Sequence, residues 1–126
     1  MDREIVEPPL AATEVLFVIS TDPRASHRPA EAIRIAAGVG AGRRVRVSIY
    51  LHGPAVLALS EFSHELIESE NYDRYWPILA EMEWPIYVQS SSPFLAEIGQ
   101  TPLRFKELSD QELAILAAKH NYVTRF

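Results

Sequence analysis

Short apolar runs, each ended by a polar turn, recur along the chain and predict the strands of a sheet. Residues 14–20 form a nearly continuous apolar run rich in β-branched and aromatic residues, which is typical of a strand buried on both faces of a parallel sheet. Residues 44–51 alternate and then become fully apolar, and residues 85–89 form a third short run. Alternating patterns at 103–107 and 121–126 predict two further strands.

Helical spacing fills the segments between these strands. An amphipathic stretch begins at Ser26 or Arg28, has Pro29 in its first turn and Gly42 as its stop, which are the usual places for proline and glycine in a helix. A later helix over residues 72–83 has Pro77, which we expect near its start. The other predicted helices cover residues 55–59, 94–98 and 113–119.

The last helix carries a recognisable start signal. Ser109 and Glu112 form a capping box, in which each side chain bonds the backbone N–H of the other residue. Together with the β/α alternation, this order of elements predicts an open, mostly parallel sheet of about five strands between layers of helices. The fold class is therefore α/β, with three layers in the order α/β/α.

Length and composition fit a single globular domain. The chain has 126 residues and a hydrophobic content of 48%, which is enough for one core at the commonest domain size. Pro8 and Pro9 disfavour helix in the residues before them, so we expect an extended arm at residues 1–13 and one domain at 14–126. The early acidic residues and the proline pair do not fit a signal peptide. No apolar run approaches the roughly 20 residues of a membrane-spanning helix, so we expect a cytoplasmic protein without membrane contact.

The charge pattern argues against nucleic acid as a partner. The formal net charge is -5, from 12 Lys and Arg against 17 Asp and Glu, and this excess of negative charge repels a phosphate backbone. The cationic cluster of Arg43, Arg44 and Arg46 follows the first predicted helix. Positive charge there complements the negative end of the helix dipole, so we interpret the cluster as structural.

The sequence offers no metal or cofactor chemistry. It contains no cysteine, which removes thiolate nucleophiles, disulfides and cysteine ligands together. His27, His64 and His120 are isolated from one another without the spacing of a zinc site. No phosphate-binding loop is present in the sequence. We therefore predict no bound metal and no cofactor.

The residues that follow the strands are the candidates for a binding site, because ligands of open α/β sheets bind beyond the carboxyl ends of the strands. These candidates are Ser20, Thr21, His52, Gly53, Gln89, Ser90, Ser91 and Ser92. If the third strand runs parallel to the first two, His52, Gly53 and residues 89–92 surround one cleft. The serine run at a helix start also suits a small anion such as sulfate or a carboxylate. Ordinary loop and capping roles are the alternative for all of them.

An enzyme of non-thiol chemistry is the competing function. Asp22, His52 and one of the serines at 90–92 supply the residue types of a hydrolytic triad, and an imidazole titrates in the range a general base needs. The Gly-x-Ser-x-Gly elbow that exposes such a serine is absent from the sequence. Residue types without geometry give this hydrolase-like alternative little support.

Five segments of the chain follow one another in a familiar order. They are residues 15–20, the alanine-rich helix around 32–37, the strand and turn at 48–56, the strand at 86–89 and the closing segment at 122–126. In this order and spacing they resemble the DsrE/DsrF-like (TusD-like) sulfur-relay family, over about residues 14–126. The resemblance implies a flavodoxin-like three-layer fold and an oligomer of several like or related subunits.

The resemblance also implies persulfide relay by a cysteine just after the third strand in the active members. Gln89 corresponds best to that position, and Ser90 is the neighbouring alternative. Neither an amide nor a hydroxyl forms a persulfide, so this chain cannot carry sulfur on a thiol. We expect a non-catalytic DsrE-like subunit that acts as a binding or assembly partner or holds a small ligand at the strand ends. Its expected assembly is a homo-oligomer, as a trimer or hexamer, or a hetero-oligomer with related subunits.

Overall fold

The computed structural model describes residues 13–126, in which there are five strands and three α-helices. The strands are β1 (Thr13–Ile19), β2 (Val45–Leu51), β3 (Ile86–Gln89), β4 (Lys106–Leu108) and β5 (Tyr122–Arg125). The helices are α1 (Arg28–Gly40), α2 (Ser69–Glu81) and α3 (Asp110–Ala118). The predicted arm at 1–13 lies outside the described residues except for Thr13, which already belongs to β1.

The five strands form one parallel sheet in the order β4-β3-β2-β1-β5. The chain moves in one direction from β1 to β4, so right-handed crossovers place α1 and α2 on the same face of the sheet. The return from β4 to β5, beyond β1, reverses that direction and places α3 on the opposite face. The predicted three-layer, flavodoxin-like α/β fold is confirmed.

Alternating side chains of the strands enter two cores of unequal size. The larger core lies under α1 and α2 and includes Phe17, Ile49, Val88, Ile33 and Leu79. The smaller core lies under α3 and contains Leu16, Val18, Tyr50 and Leu108. A helix is about 10 Å wide and strands lie about 4.8 Å apart, so one helix cannot cover a five-stranded face. The α3 face of the sheet is therefore only partly covered.

The second helix contains a proline in its interior. Pro77 lies inside α2, so the prediction that it sits near the helix start is wrong. A proline cannot donate a hydrogen bond to the carbonyl four residues earlier, here that of Asp73. Both residues are exposed, and water can bond the carbonyl that the proline leaves free. The helix begins at Ser69, earlier than the apolar pattern indicates, because its first turn is polar.

The end of α1 also differs from the prediction. The helix ends at Gly40, and the left-handed residue that follows is Arg43, with φ 57°, not Gly42. Arg43 Nη1 donates to Met82 O at 3.4 Å, at the end of α2, and its guanidinium lies 5.8 Å from the centroid of the Trp84 ring. These contacts hold an arginine in a conformation that usually favours glycine. The cation therefore complements the carboxyl end of α2 instead of that of α1.

Three other segments are shorter or tighter than predicted. The expected helices at 55–59 and 94–98 are 3₁₀ segments, which cover Gly53–Leu59 and Pro93–Glu97. One more 3₁₀ segment, which was not predicted, covers Ser63–Glu65. The expected strand at 103–107 is displaced to Lys106–Leu108. Leu103 and Phe105, which gave the alternating pattern, pack against the larger core from a loop. Their burial explains the pattern without a strand.

Candidate functional site

The carboxyl ends of β1, β2 and β3 meet at one edge of the sheet. His52 N–H donates to Ile19 O at 2.8 Å, which joins the ends of the first two strands. Gly53 follows with φ 57°, a left-handed conformation that glycine adopts without a steric penalty. This turn aims both polar groups of the Gly53 backbone toward the end of β3.

Two hydrogen bonds join Gly53 to the last residue of β3 and to the turn that follows it. The Gly53 N–H donates to Gln89 Oε1 at 2.9 Å, and Ser92 Oγ donates to Gly53 O at 2.9 Å. Ser92 is buried, and its hydroxyl also accepts from Phe94 N at 3.2 Å as the cap of the following 3₁₀ segment. The structure thus brings His52, Gly53, Gln89 and Ser92 together. Their role in ligand binding stays a prediction.

The remaining predicted site residues lie around this centre. Ser90 and Ser91 are exposed, and Ser90 N–H donates to Leu108 O at 2.9 Å, which ties the turn to β4. Ser20 N–H donates to Phe126 O at 2.9 Å, so the end of β1 is held by the segment after β5. The Thr21 hydroxyl is buried and has no hydrogen-bond partner among residues 13–126.

The residue types of a hydrolytic triad do not assemble. Asp22 forms an ion pair of 2.9 Å with Arg24, and this side-chain hydrogen bond lowers the pKa of the Asp22 carboxyl. Ser92 is committed to Gly53 and Phe94. His52 is exposed, and no serine or aspartate of the described chain bonds its ring. The carboxylate and the hydroxyl therefore serve local structure and not a base.

Tyr50 carries a hydroxyl in this region, although it lies in the apolar end of β2. Strand alternation places it on the α3 face with His52, and the two ring centroids lie 6.2 Å apart. Its side chain is fully buried, and its hydroxyl has no partner within residues 13–126. Burial, with a smaller contribution from Asp110, raises the pKa of the Tyr50 hydroxyl. A tyrosine in the apolar end of the strand was the available signal.

Four cavities of about 210 to 610 Å³ lie elsewhere in the described chain. The most apolar holds about 380 Å³ and lies between α2 and residues 101–103. None of these four is lined by the predicted strand-end residues. The hydrogen bonds of Gly53 draw the two strand-end turns together.

Residues 13–126 lack two further features. No three potential metal-ligating side chains come together there. No helix in this part of the chain has the length and apolar character needed to span a membrane.

Comparisons with known proteins identify a fold. No protein-family model matches the chain, and no curated protein matches it. Among solved structures, the crystal structure of the ychN protein from E. coli is similar, with 19% sequence identity and a TM-score of 0.74. The match covers 90% of this chain and 99% of that chain. At this identity the likeness shows the fold alone, and the chain therefore shares the flavodoxin-like α/β fold of that protein.

Proposed function

We propose that this protein is a non-catalytic DsrE-like subunit of a sulfur-relay system, which acts as a binding or assembly partner. The fold and the order of the sequence segments support the family. The absence of cysteine from the sequence removes the thiol that a persulfide carrier needs. What is left for such a subunit is to bind or to organise the subunits that carry the sulfur.

The observation that carries this proposal is the hydrogen bond from Gly53 N–H to Gln89 Oε1, of 2.9 Å. Gln89 corresponds best to the position where the resemblance places a cysteine. In a cysteine persulfide the outer sulfur is the third atom beyond Cα, as is the amide carbon of glutamine. The Gln89 amide thus fills the space in which a loaded persulfide would end.

The hydrogen bond also gives Gln89 a structural role. A backbone N–H that is withdrawn from water needs an acceptor, and the Gln89 amide supplies one to Gly53. Ser92 also bonds the Gly53 carbonyl. Hydrogen bonds to both backbone groups of Gly53 therefore hold the two strand-end turns together. A site built in this way suits a fixed recognition surface and not a group-transfer centre.

The assembly role is supported by apolar surface that the chain itself leaves uncovered. Ile115 of α3 is 54% exposed, and Tyr122 of β5 is 65% exposed. β5 is an edge strand of the sheet, and edge strands are sites where another chain can pair. These features fit a subunit that works within a homo-oligomer or beside related subunits.

A cysteine returned to the site tests the proposal. We expect Gln89→Cys to react with a persulfidated donor several times faster than Arg74→Cys, a control on the exposed middle of α2. The Gly53 N–H loses its acceptor in the first variant, and a nearby free N–H favours the thiolate and lowers the pKa of the thiol. Mass spectrometry after donor exposure measures both rates.

Ser90→Cys tests the neighbouring alternative in the same assay. If both cysteines at the strand end react no faster than the control, this end of the strands retains nothing of a relay site. That result would contradict a sulfur-relay origin and leave only a structural role for this edge of the sheet.

A further inference from the structure

The third helix, α3, has apolar residues on its exposed side as well as on the side that packs against the sheet. Residues 113–118 are six consecutive apolar residues, and a helix that is apolar all round is normally buried. In α3 no residue is buried. Leu113, Leu116 and Ala117 pack against the smaller core, whereas Ala114, Ile115 and Ala118 are exposed.

The orientation of α3 is fixed by contacts at its carboxyl end. His120 Nδ1 lies 2.8 Å from Leu116 O, to which it donates, and Nε2 lies 3.1 Å from Ser48 Oγ of β2. The imidazole thus ties the helix end to the sheet. With this side facing inward, Gln111, Ile115 and Ala118 form an outward stripe at helical spacing, which Ala114 widens. We call Gln111, Ala114, Ile115 and Ala118 the α3 stripe.

Charges of opposite sign flank the two ends of the α3 stripe. At about 100° per residue, Glu112 and Lys119 fall on the same flank of the helix, two turns apart. Both are exposed. Ile115 lies about midway between them along the helix axis. Glu112 and Lys119 are therefore at similar distances on either side of Ile115 and have opposite charges.

We propose that the α3 stripe binds a second copy of this chain, with the two α3 helices antiparallel around a two-fold axis near Ile115. A two-fold interface joins the same patch of both subunits. The side of α3 that carries Glu112 and Lys119 therefore lies beside the same side of the other copy's α3, with the helix direction reversed. Glu112 of one copy then lies level with Lys119 of the other, on both sides of the axis. The alanines allow close approach of the helices, and the antiparallel helix dipoles attract.

The same charges suit the dipole of α3 within one copy, but the exposed apolar residues of the α3 stripe do not stabilise a single copy. A second copy covers it and completes the layer that one α3 provides. This inference rests on the proposed assembly function and specifies its partner and its surface. A two-fold contact of this kind builds a dimer, and joins two trimers into a hexamer.

An apolar-to-charged substitution tests the surface. Ile115→Arg is compared with Ile78→Arg, a control at an isoleucine of α2 that is 38% exposed. We expect light scattering to show that the wild-type particle contains at least two copies of the chain. The mass of Ile115→Arg should be half of the wild-type mass, whereas Ile78→Arg should keep the wild-type mass. Circular dichroism checks that each variant is folded.

Charge substitutions test the antiparallel arrangement. Lys119→Glu leaves the capping box intact and is expected to weaken self-association, whereas Arg74→Glu on α2 is the matched control and is not. Glu112→Lys is expected to weaken self-association as well. An equimolar mixture of Glu112→Lys and Lys119→Glu is expected to restore the dimer. The first variant has two positive charges on this side of the helix and the second has two negative charges, so the two variants attract each other.

The outcomes separate this inference from the proposed function. A wild-type chain that stays monomeric at high concentration overturns the α3 contact, and so does an oligomer whose mass Ile115→Arg leaves unchanged. In the second case assembly itself stands and its interface lies elsewhere. The sulfur-relay origin is decided independently by the reactivity of Gln89→Cys.

Discussion

At the scale of single residues, the two turns at the strand ends depend on backbone groups as much as on side chains. Gly53 adopts a left-handed φ, donates to Gln89 and accepts from Ser92. A Cβ at this glycine would meet no atom within 4 Å, so a substitution there costs backbone strain of about 1–2 kcal/mol without a clash. The requirement for glycine is therefore conformational and not steric.

Two glycines near the end of α1 allow a sharper test of packing. A Cβ at Gly38 would meet no atom within 4 Å, whereas one at Gly40 would overlap the Trp84 indole. We expect Gly38→Ala to raise the free energy of unfolding by up to about 1 kcal/mol through helix propensity. Gly40→Ala gains the same propensity but incurs overpacking of about 1–3 kcal/mol, so it should be destabilising.

Urea denaturation of the two alanine variants measures this difference directly. Because the helix and the chemical change are the same, the gap between the two midpoints reports the contact with Trp84. Equal stability of the two variants would show that the indole moves aside without cost.

At the scale of elements, α3 is held by its amino-terminal cap more than by burial. Ser109 Oγ accepts from Glu112 N at 3.1 Å, and Glu112 Oε1 accepts from Ser109 N at 2.9 Å, which is the capping box that the sequence predicts. We expect Ser109→Ala to lower the free energy of unfolding by about 1 kcal/mol, measured by urea denaturation. Glu112→Gln keeps both bonds of the box and is the matched control.

The cap also has a pH dependence with a defined sign. The hydrogen bond from the Ser109 backbone lowers the pKa of the Glu112 carboxyl. A lowered folded-state pKa stabilises the fold above the unfolded-state pKa, and this contribution is lost as the pH falls through the folded value. The stability difference between wild type and Glu112→Gln is therefore expected to shrink in acid. A difference that stays constant from neutral to acidic pH would contradict the role of the carboxylate.

At the scale of the whole molecule, burial is distributed unevenly across the sheet. β1 and β2 contribute fully buried residues to the larger core, such as Ile19 and Ile49, whereas α3 has no buried residue and β5 is largely exposed. Local opening requires least free energy where few apolar contacts are lost. The α3–β5 part of the molecule should therefore open before β1 and β2.

Hydrogen exchange followed by mass spectrometry tests this order of opening. In dilute protein we expect the amides of α3 to exchange faster than those of β2. Raising the protein concentration should slow exchange in α3, because self-association covers its stripe, and should leave β2 unchanged. Uniform protection across both elements at all concentrations would contradict the uneven distribution.

The sequence by itself determined most of the fold. The runs at 14–20, 44–51 and 85–89 predicted β1, β2 and β3 to within a residue of their ends, and the capping box placed the start of α3. These signals are local, because strand alternation, helical spacing and caps are set by residues a few positions apart. The loop around Phe105 departed from prediction because its burial depends on distant packing. Pro77 lies inside α2 because the polar first turn of that helix gives no apolar signal for its start.

Only the tertiary structure decided the geometry of the candidate site and which side of α3 stays exposed. The sequence named Gly53 and Gln89 as strand-end residues, but their hydrogen bond joins positions 36 apart and depends on the parallel pairing of β2 with β3. Arg43 meets the end of α2 because α1 and α2 lie side by side on one face of the sheet. The periodicity of α3 shows that it is apolar. Which of its sides remains open follows from the strand order, because the crossover to β5 leaves α3 alone on its face of the sheet.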